Sequence, residues 1–184
     1  MRNSPDQAIL ERAKRFEAQA LEEIFDTYSP GIYRYAFRLL GDADLARECM
    51  SETFSRFLYA LKRDSGPDNY LQAYLYRIAH NWITDYYRSK VLPSLPLDVN
   101  LRANPADEPH QVVADEMESQ QLRDALTLLT PDQRQVIVLK YLDDWENESI
   151  AQTLNKPVGA VKALQHRALE ALRRIMSRYE DINL

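Results

Sequence analysis

A proline-rich stretch near the middle of the 184-residue sequence divides it into two parts, each of which has to build its own core. Residues 91–109 contain Pro93, Pro96, Pro105 and Pro109 and no aromatic residue. Proline donates no backbone hydrogen bond and restricts the residue before it, so this density of prolines interrupts helices and strands alike. Fifteen of the 18 Phe, Trp and Tyr residues precede position 91. The stretch is therefore typical of an extended linker between two domains.

The composition excludes several classes of protein. Four glycines in 184 residues argue against glycine-rich phosphate loops, dinucleotide-binding folds and folds built from tight β-turns. No apolar run approaches the ~18 residues that span a bilayer, and the first residues lack the apolar core of a signal peptide. The single cysteine, Cys49, excludes an internal disulfide and a cysteine-rich zinc site. A reducing cytoplasm is the simplest location.

The net charge of −5 hides an uneven distribution. Residues 1–90 are balanced, whereas residues 91–118 carry one basic and six acidic side chains. Residues 155–184 carry six basic and three acidic side chains. The positive charge thus collects at one end of the chain, which favours an anionic partner there, while the middle repels anions.

Apolar residues recur at helical spacing through the first half of the chain. Ser29 and Pro30 predict the start of a helix, Gly41 its end and Asp42 the start of the next. Cys49 falls on the apolar side of that next helix, where we expect a small core residue rather than a reactive thiol.

A later helix of the first half, predicted over residues 70–90, carries an unusual polar face. A narrow apolar stripe is formed by Leu71, Leu75, Ile78, Trp82 and Tyr86. The residues predicted to face outward are Tyr76, Arg77, His80, Asn81, Thr84, Tyr87 and Arg88. Such a face can stack on unpaired bases and contact phosphates, and a solvated surface rich in tyrosine is the alternative.

The second half shows a helix-turn-helix pattern. A short helix over residues 148–154 is broken by Asn155-Lys156-Pro157, and a basic helix follows over residues 158–176. Small residues at the start of that helix would let it approach a major groove closely. A solvated helix whose basic end complements the helix dipole is the alternative.

Three long segments resemble one family in order, spacing and content. They are YSPGIYRYAFRLLGDADLARECMSETFSRFLYAL, YLQAYLYRIAHNWITDYYRSK and LTPDQRQVIVLKYLDDWENESIAQTLNKPVGAVKALQHRALEALRRI. The chain resembles the short extracytoplasmic-function (group 4) bacterial sigma factors, which consist of sigma regions 2 and 4. The resemblance implies an all-α fold of two small helical domains joined by a flexible linker. The implied boundaries are region 2 over residues 1–92, the linker over 93–116 and region 4 over 117–184.

The resemblance also implies three sets of binding residues. Core RNA polymerase would contact Glu48, Ser51, Glu52 and Arg56. Single-stranded DNA of the −10 element would contact Tyr76, Arg77, His80, Asn81, Thr84, Asp85, Tyr87 and Arg88. Duplex DNA of the −35 element would contact Lys156, Gly159, Ala160, Lys162, Ala163, His166, Arg167 and Arg174.

The sequence departs from the family pattern once in each of the two regions. Cys49-Met50-Ser51 replaces the usual Leu-Val-Gln, which alters the polymerase contact in detail. Ala163-Leu164-Gln165 stands where the family more often has Ser-Arg-Leu. An arginine that contacts DNA is thus missing, and a polar Gln165 lies near the inner face of the helix.

The function that the resemblance implies is promoter-specific transcription initiation in the bacterial cytoplasm. Core RNA polymerase, promoter DNA and an anti-sigma factor are the expected partners; no membrane insertion, small-molecule substrate, cofactor or metal is expected. Two alternatives remain open. One is a helix-turn-helix regulator with an N-terminal sensing or dimerisation domain, and the other is a sigma mimic that binds an anti-sigma factor. An enzyme is disfavoured, because the three histidines lie in separate segments without metal-binding spacing and no nucleophile arrangement is evident.

Overall fold

A computed structural model provides the structure of the protein and describes residues 5–91 and 120–182. The first range contains α1 (Pro5–Lys14), α2 (Ala18–Leu40), α3 (Ala43–Lys62) and α4 (Leu71–Val91). The second contains α5 (residues 120–127), α6 (Pro131–Ile137), a π-helical segment (Val138–Leu142), α7 (Asn147–Leu154) and α8 (Val158–Ile182). Neither range contains a β-strand, and the predicted all-α fold of two domains is confirmed. The predicted linker over residues 93–116 lies outside the described residues.

The core of the first domain lies where α2, α3 and α4 meet. Ile32, Phe57 and Leu75 contribute one fully buried side chain from each of these helices. Each such side chain stabilises the fold by roughly 1.5–3 kcal/mol relative to an exposed one. Cys49 is buried among them, as predicted, and burial raises the pKa of its thiol to about 12.

The junction between α2 and α3 follows from local sequence. Gly41 ends α2 in the left-handed conformation at φ 67°, which glycine adopts without steric cost. Asp42 then caps α3, because its carboxylate accepts hydrogen bonds from the amides of Asp44 and Leu45. Both boundaries were predicted and are confirmed.

The prediction that a helix begins at Ser29 is wrong. Helix α2 runs through Pro30 without a break, and Ser29 is buried. A proline inside a helix costs about 3 kcal/mol, because it removes one hydrogen bond and crowds the preceding turn. Ile24 and Ile32 lie fully buried on either side of Pro30. Their burial outweighs that cost and keeps the helix continuous.

The second domain is built by α5 to α8. Val136, Leu139, Ile150 and Val161 are its central buried side chains. Thr130 starts α6 with a capping box, in which its hydroxyl accepts from the amide of Gln133 while the Gln133 side chain accepts from the amide of Thr130.

Helix α4 is covered on more than one side, which corrects its predicted outward face. It packs against α2 and α3 of the first domain and against α7 of the second. Tyr76 and His80, expected to face outward, are 4% and 6% exposed. Trp82 and Tyr86, expected to face inward, are only half-buried, and their rings stack with centroids 5.7 Å apart. Within the described ranges, no helix has the length and apolarity that crossing a membrane requires.

Candidate nucleic-acid interface

The outer face of α8 carries an accessible basic surface of the second domain. Helix α7 ends at Leu154, and the next residue, Asn155, takes a left-handed conformation and turns the chain toward α8. Val161 and Ala168 hold α8 against the domain core. Exposed side chains of α8 include Lys162, Ala163, His166, Arg167, Glu170, Arg173 and Arg174. The structure therefore places five predicted −35 residues, Lys162, Ala163, His166, Arg167 and Arg174, on one accessible helix.

The start of α8 has the open space that a close DNA approach requires. Gly159 has no neighbour within 4 Å of the position that a Cβ would occupy. Ala160 beside it is half-buried. Lys156 forms an ion pair with Asp132 at 3.2 Å, which tethers the turn to α6. His166 lies 3.6 Å from Glu170 one turn along α8.

A hydrogen bond inside the second domain links the two helices of the helix-turn-helix. The Gln165 side chain of α8 donates to Asn147 Oδ1 at the start of α7 over 2.6 Å. Gln165 was predicted to lie near the inner face of the helix, and its side-chain amide has a specific hydrogen-bond partner there. This pair joins α7 to α8 beside their buried apolar contacts, and sequence spacing alone did not identify Asn147.

The predicted polymerase-binding residues lie along the exposed side of α3. Glu48, Ser51 and Arg56 are exposed, and Arg56 donates to the half-buried Glu52 over 2.7 Å. The same helix exposes Leu58 and Tyr59. These two apolar side chains were not predicted, although their position one turn beyond the charged residues was visible in the sequence.

The end of α4 carries three of the exposed residues of the predicted −10 surface, and Arg77 is exposed nearer its start. Asn81, Asp85 and Arg88 are exposed, and Arg88 donates to Asp85 over 3.1 Å. Thr84 is half-buried, with its hydroxyl 3.4 Å from His80 Nε2. The half-buried Trp82 and Tyr86 lie beside these residues on the same helix.

The remaining predicted −10 residues lie where the two domains meet. The Tyr76 ring packs against Trp145 of the second domain, with centroids 4.6 Å apart, and edge-on against Tyr35 of α2 at 5.3 Å. The Arg77 guanidinium donates to the carbonyl oxygens of Gln152 and Thr153 over 2.8 and 3.0 Å. It thereby caps the carboxyl end of α7, whose last carbonyls have no partner within the helix.

His80 lies in the middle of this contact. Its Nδ1 is 2.9 Å from the Tyr35 hydroxyl. Burial, together with the nearby Arg134 guanidinium, lowers the pKa of His80 to about 4. The imidazole is therefore neutral at physiological pH.

Tyr87 forms the far side of the contact. Its hydroxyl donates to the Leu39 carbonyl, and the Arg134 guanidinium lies over its ring at 4.6 Å from the centroid. Arg134 itself is buried and donates to the carbonyls of Leu126, Thr127 and Leu129. An ion pair between Arg38 and Asp143 lies at the same junction.

The second domain provides three partners at this junction that were not predicted: Trp145, Arg134 and Asp143. Their contacts join residues about 50 to 105 positions apart. Helical periodicity reports only neighbours within a few turns, so no local signal identified them.

Comparisons with known proteins match both halves of the chain. A model described as Sigma-70 region 2 matches residues 24–91, and one described as Sigma-70, region 4 matches residues 119–172. The ECF RNA polymerase sigma factor SigW of Bacillus subtilis is 32% identical over 176 residues, covering 90% of this chain and 93% of SigW. BldN of Streptomyces coelicolor, also an ECF sigma factor, is 30% identical over 174 residues, covering 91% of this chain and 64% of BldN.

Solved structures show the same fold. CnrH, in its complex with the cytosolic domain of CnrY, matches with a TM-score of 0.69 and 21% identity over 95% of this chain and 99% of that chain. RpoE of Bartonella quintana, in complex with the anti-sigma factor NepR, matches with a TM-score of 0.57 and 18% identity over 85% of this chain and 96% of that chain.

Proposed function

The chain belongs to the ECF RNA polymerase sigma factors, proteins that direct promoter-specific transcription, and we propose how its surfaces divide that work. The first domain binds core RNA polymerase through Glu48, Ser51, Glu52 and Arg56 on α3. Opened DNA of the −10 element binds along α4, and α8 reads duplex DNA of the −35 element.

The exposed face of α8 is the observation that carries this proposal. Lys162, His166 and Arg167 project from a helix that is held by α7, with an unobstructed Gly159 at its start. In helix-turn-helix proteins the equivalent helix lies in the major groove, where side chains reach base edges and phosphates. The basic charge at this end of an acidic chain fits contact with phosphates.

Opening of the promoter requires no bond chemistry from this chain. Bases that leave the duplex exchange pairing and stacking for stacking on protein aromatic rings, worth roughly 1–3 kcal/mol per base. Tyr76, Arg77, His80, Asn81, Thr84, Asp85, Tyr87 and Arg88 on α4 are the proposed contacts for the opened strand. The chain therefore acts as a specificity subunit and not as a catalyst.

Partners and location follow from this role. We extend to this chain an anti-sigma partner of the kind that accompanies RpoE in its solved complex. The cytoplasm, where core RNA polymerase works, is the proposed location. The boundaries of the two regions, residues 1–92 and 117–184, with a linker over 93–116, are part of the same proposal.

Run-off transcription tests the proposal. Purified chain and core polymerase are incubated with a pool of promoter fragments, and the start sites are sequenced. We expect a discrete set of start sites that core polymerase alone does not produce. A matched pair of variants then locates the surface, since Lys162→Ala should reduce these transcripts while Lys62→Ala, an exposed lysine at the end of α3, should not. Tight promoter binding without polymerase, and no new start sites with it, would instead support an independent regulator.

A further inference from the structure

The segment that leads into α4 is held at its first end by α3. This connecting segment, residues 63–70, joins the end of α3 to the start of α4. The Ala60 carbonyl accepts hydrogen bonds from the amide and the hydroxyl of Ser65, over 2.9 and 3.3 Å. Gly66 lies against Leu61, because a Cβ at Gly66 would come within 2.8 Å of Leu61 Cδ2. The helix that precedes the segment therefore holds its first half.

The second half of the connecting segment is held from α1. Lys14, the last residue of α1, donates to Asp68 Oδ1 over 2.6 Å, across 54 positions of the sequence. Within the described ranges, this is the hydrogen bond that joins residues 66–69 to the rest of the chain. The hydrogen bond to Asp68 raises the pKa of the Lys14 ammonium, which therefore stays charged at physiological pH.

Helix α1 holds Lys14 in a defined place. Leu10 and Ala13 are fully buried, and α1 packs on both α2 and α3. Lys14 is half-buried beside them, and a carboxylate oxygen of Glu11, one turn back, lies 3.8 Å from its Nζ. The Sigma-70 region 2 model matches residues 24–91, so α1 lies outside the matched part of the chain. The contact between Lys14 and Asp68 is thus not a property of the matched region alone.

Two residues of the connecting segment have a backbone conformation that is uncommon outside glycine. Asp64 and Tyr70 have φ of 52° and 50°, in the left-handed region. Aspartate tolerates this region, whereas a bulky residue such as tyrosine keeps it only where its surroundings hold it. Tyr70 directly precedes α4, its carbonyl accepts from the Tyr74 amide over 3.0 Å, and its ring is 53% exposed. The position of the segment thus determines where an exposed aromatic ring lies at the start of α4.

We propose that Lys14 is a positioning residue for strand capture: through Asp68 it holds the connecting segment, and with it Tyr70, in place at the start of α4. The inference rests on the proposed function, in which the opened strand binds along α4. An ion pair at the surface contributes little to overall stability, so its effect lies in the position of the segment rather than in the fold. Loss of the pair weakens retention of the opened strand and leaves the binding of duplex −35 DNA by α8 unchanged.

A double-mutant cycle tests this role. Lys14→Gln and Asp68→Asn remove the two charges singly and together, and the lifetime of the open promoter complex with core polymerase is measured after addition of competitor DNA. We expect Lys14→Gln to shorten that lifetime by about twofold to fivefold in the wild-type background and to have no further effect in the Asp68→Asn background. The conservative variant Lys14→Arg should retain the wild-type lifetime. The control Lys62→Gln, which changes an exposed lysine at the end of α3, should retain it as well.

The cycle separates positioning from a direct contact of Lys14 with a DNA phosphate. A direct contact would make Lys14→Gln shorten the lifetime equally in both backgrounds, and that result overturns the proposal. An unchanged lifetime in Lys14→Gln overturns it too. Binding of the polymerase complex to a labelled −35 duplex is the internal reference, and a variant that lowers both quantities equally contradicts a role specific to strand capture.

The position of the connecting segment can also be followed without transcription. A nitroxide spin label at Asn69→Cys, an exposed site in the segment, reports local mobility through its line shape in the full chain, and the native Cys49 is buried. Lys14→Gln should increase the mobility of this label, whereas Lys14→Arg should not. A label at Lys62→Cys is the matched control, and Lys14→Gln should leave its mobility as in the wild type. Equal mobility of the Asn69→Cys label with lysine and with glutamine at position 14 contradicts the proposal.

Failure of the inference is distinguishable from failure of the proposed function. If the wild-type chain produces no new start sites with core polymerase, the proposed function is wrong and the positioning role falls with it. If new start sites appear, and Lys14→Gln leaves the lifetime of the open complex unchanged, only the positioning role is wrong.

Discussion

The hydroxyl of Tyr35 lies 2.9 Å from Nδ1 of His80, in the buried region where α2 and α4 meet the second domain. One hydrogen bond joins this pair, and its donor is either the phenol hydroxyl or the neutral imidazole. A second proton on the ring would place a cation in a dry site that Arg134 already makes positive, with Asp132 as a weaker opposing charge.

Acidification should therefore weaken the protein through His80. The folded-state pKa of about 4 lies below the unfolded value of 6.5, so the unfolded chain binds more protons between these two values. The contribution of His80 to stability is complete above pH 6.5 and is lost as the pH falls toward 4. From pH 7.5 to pH 5 this amounts to about 2 kcal/mol in the free energy of unfolding, measured by urea titration at each pH.

The variant His80→Gln isolates this effect, because glutamine does not titrate. The difference in stability between the two pH values should shrink by about the same 2 kcal/mol. His166→Gln is the matched control, since it removes an exposed imidazole on α8 and should keep the wild-type difference. An unchanged pH dependence in His80→Gln would show that other groups dominate acid destabilisation.

Two glycines should respond oppositely to replacement by alanine. A Cβ at Gly31 of α2 would lie 2.6 Å from the Tyr76 hydroxyl, whose ring is confined by Tyr35 and Trp145. We expect Gly31→Ala to destabilise the protein by about 1–3 kcal/mol, as overpacking of cores does. At Gly159 the space is open, so Gly159→Ala should be neutral or stabilise by up to about 1 kcal/mol.

Thermal unfolding of both variants checks this pair. Gly159→Ala also tests the proposed DNA contact, because it should lower transcription from a −35-dependent promoter while the fold is retained. A Gly31→Ala protein as stable as the wild type would mean that Tyr76 can leave its pocket without cost.

The sequence was sufficient for features that depend on neighbours along the chain. The cap at Asp42, the left-handed end at Gly41 and the break at Asn155 each require only residues within one turn. The exposed face of α8 was also predictable, because one side of that helix packs on a single core and the other meets solvent.

The sequence was insufficient wherever a helix has two buried sides. In α4, periodicity distinguishes a polar face from an apolar one but does not reveal that α7, which begins 56 residues after α4 ends, packs against part of the polar face. Tyrosine, histidine and arginine can be buried when their polar atoms find partners, and Tyr35, Gln152 and Thr153 supply those partners from distant segments. The prediction at Pro30 was wrong for a similar reason, since tertiary packing outweighed the preference of proline for the start of a helix.

The link between α7 and α8 should affect promoter reading more than stability. Gln165→Ala removes the 2.6 Å hydrogen bond to Asn147, worth about 1 kcal/mol, and frees α8 to shift against α7. We expect transcription from a −35-dependent promoter to fall about fivefold while unfolding changes by no more than that energy. Gln152→Ala, which changes an exposed side chain of α7, is the matched control. A loss of activity no larger than that of Gln152→Ala would remove the positioning role of Gln165.

The basic residues of α8 should appear in the salt dependence of promoter binding by the complex with core polymerase. A lysine that neutralises a phosphate releases condensed counterions, so its removal reduces the slope of log K against log salt by about 1. Lys162→Ala and Arg167→Ala should each show this reduction, measured by fluorescence anisotropy with labelled duplex over a series of salt concentrations. A residue that reads a base edge instead would change the preference among sequences by about 1–3 kcal/mol with little change in slope. Lys62→Ala, on the first domain, should alter neither quantity, and a slope unchanged by both α8 variants would exclude this face from phosphate contact.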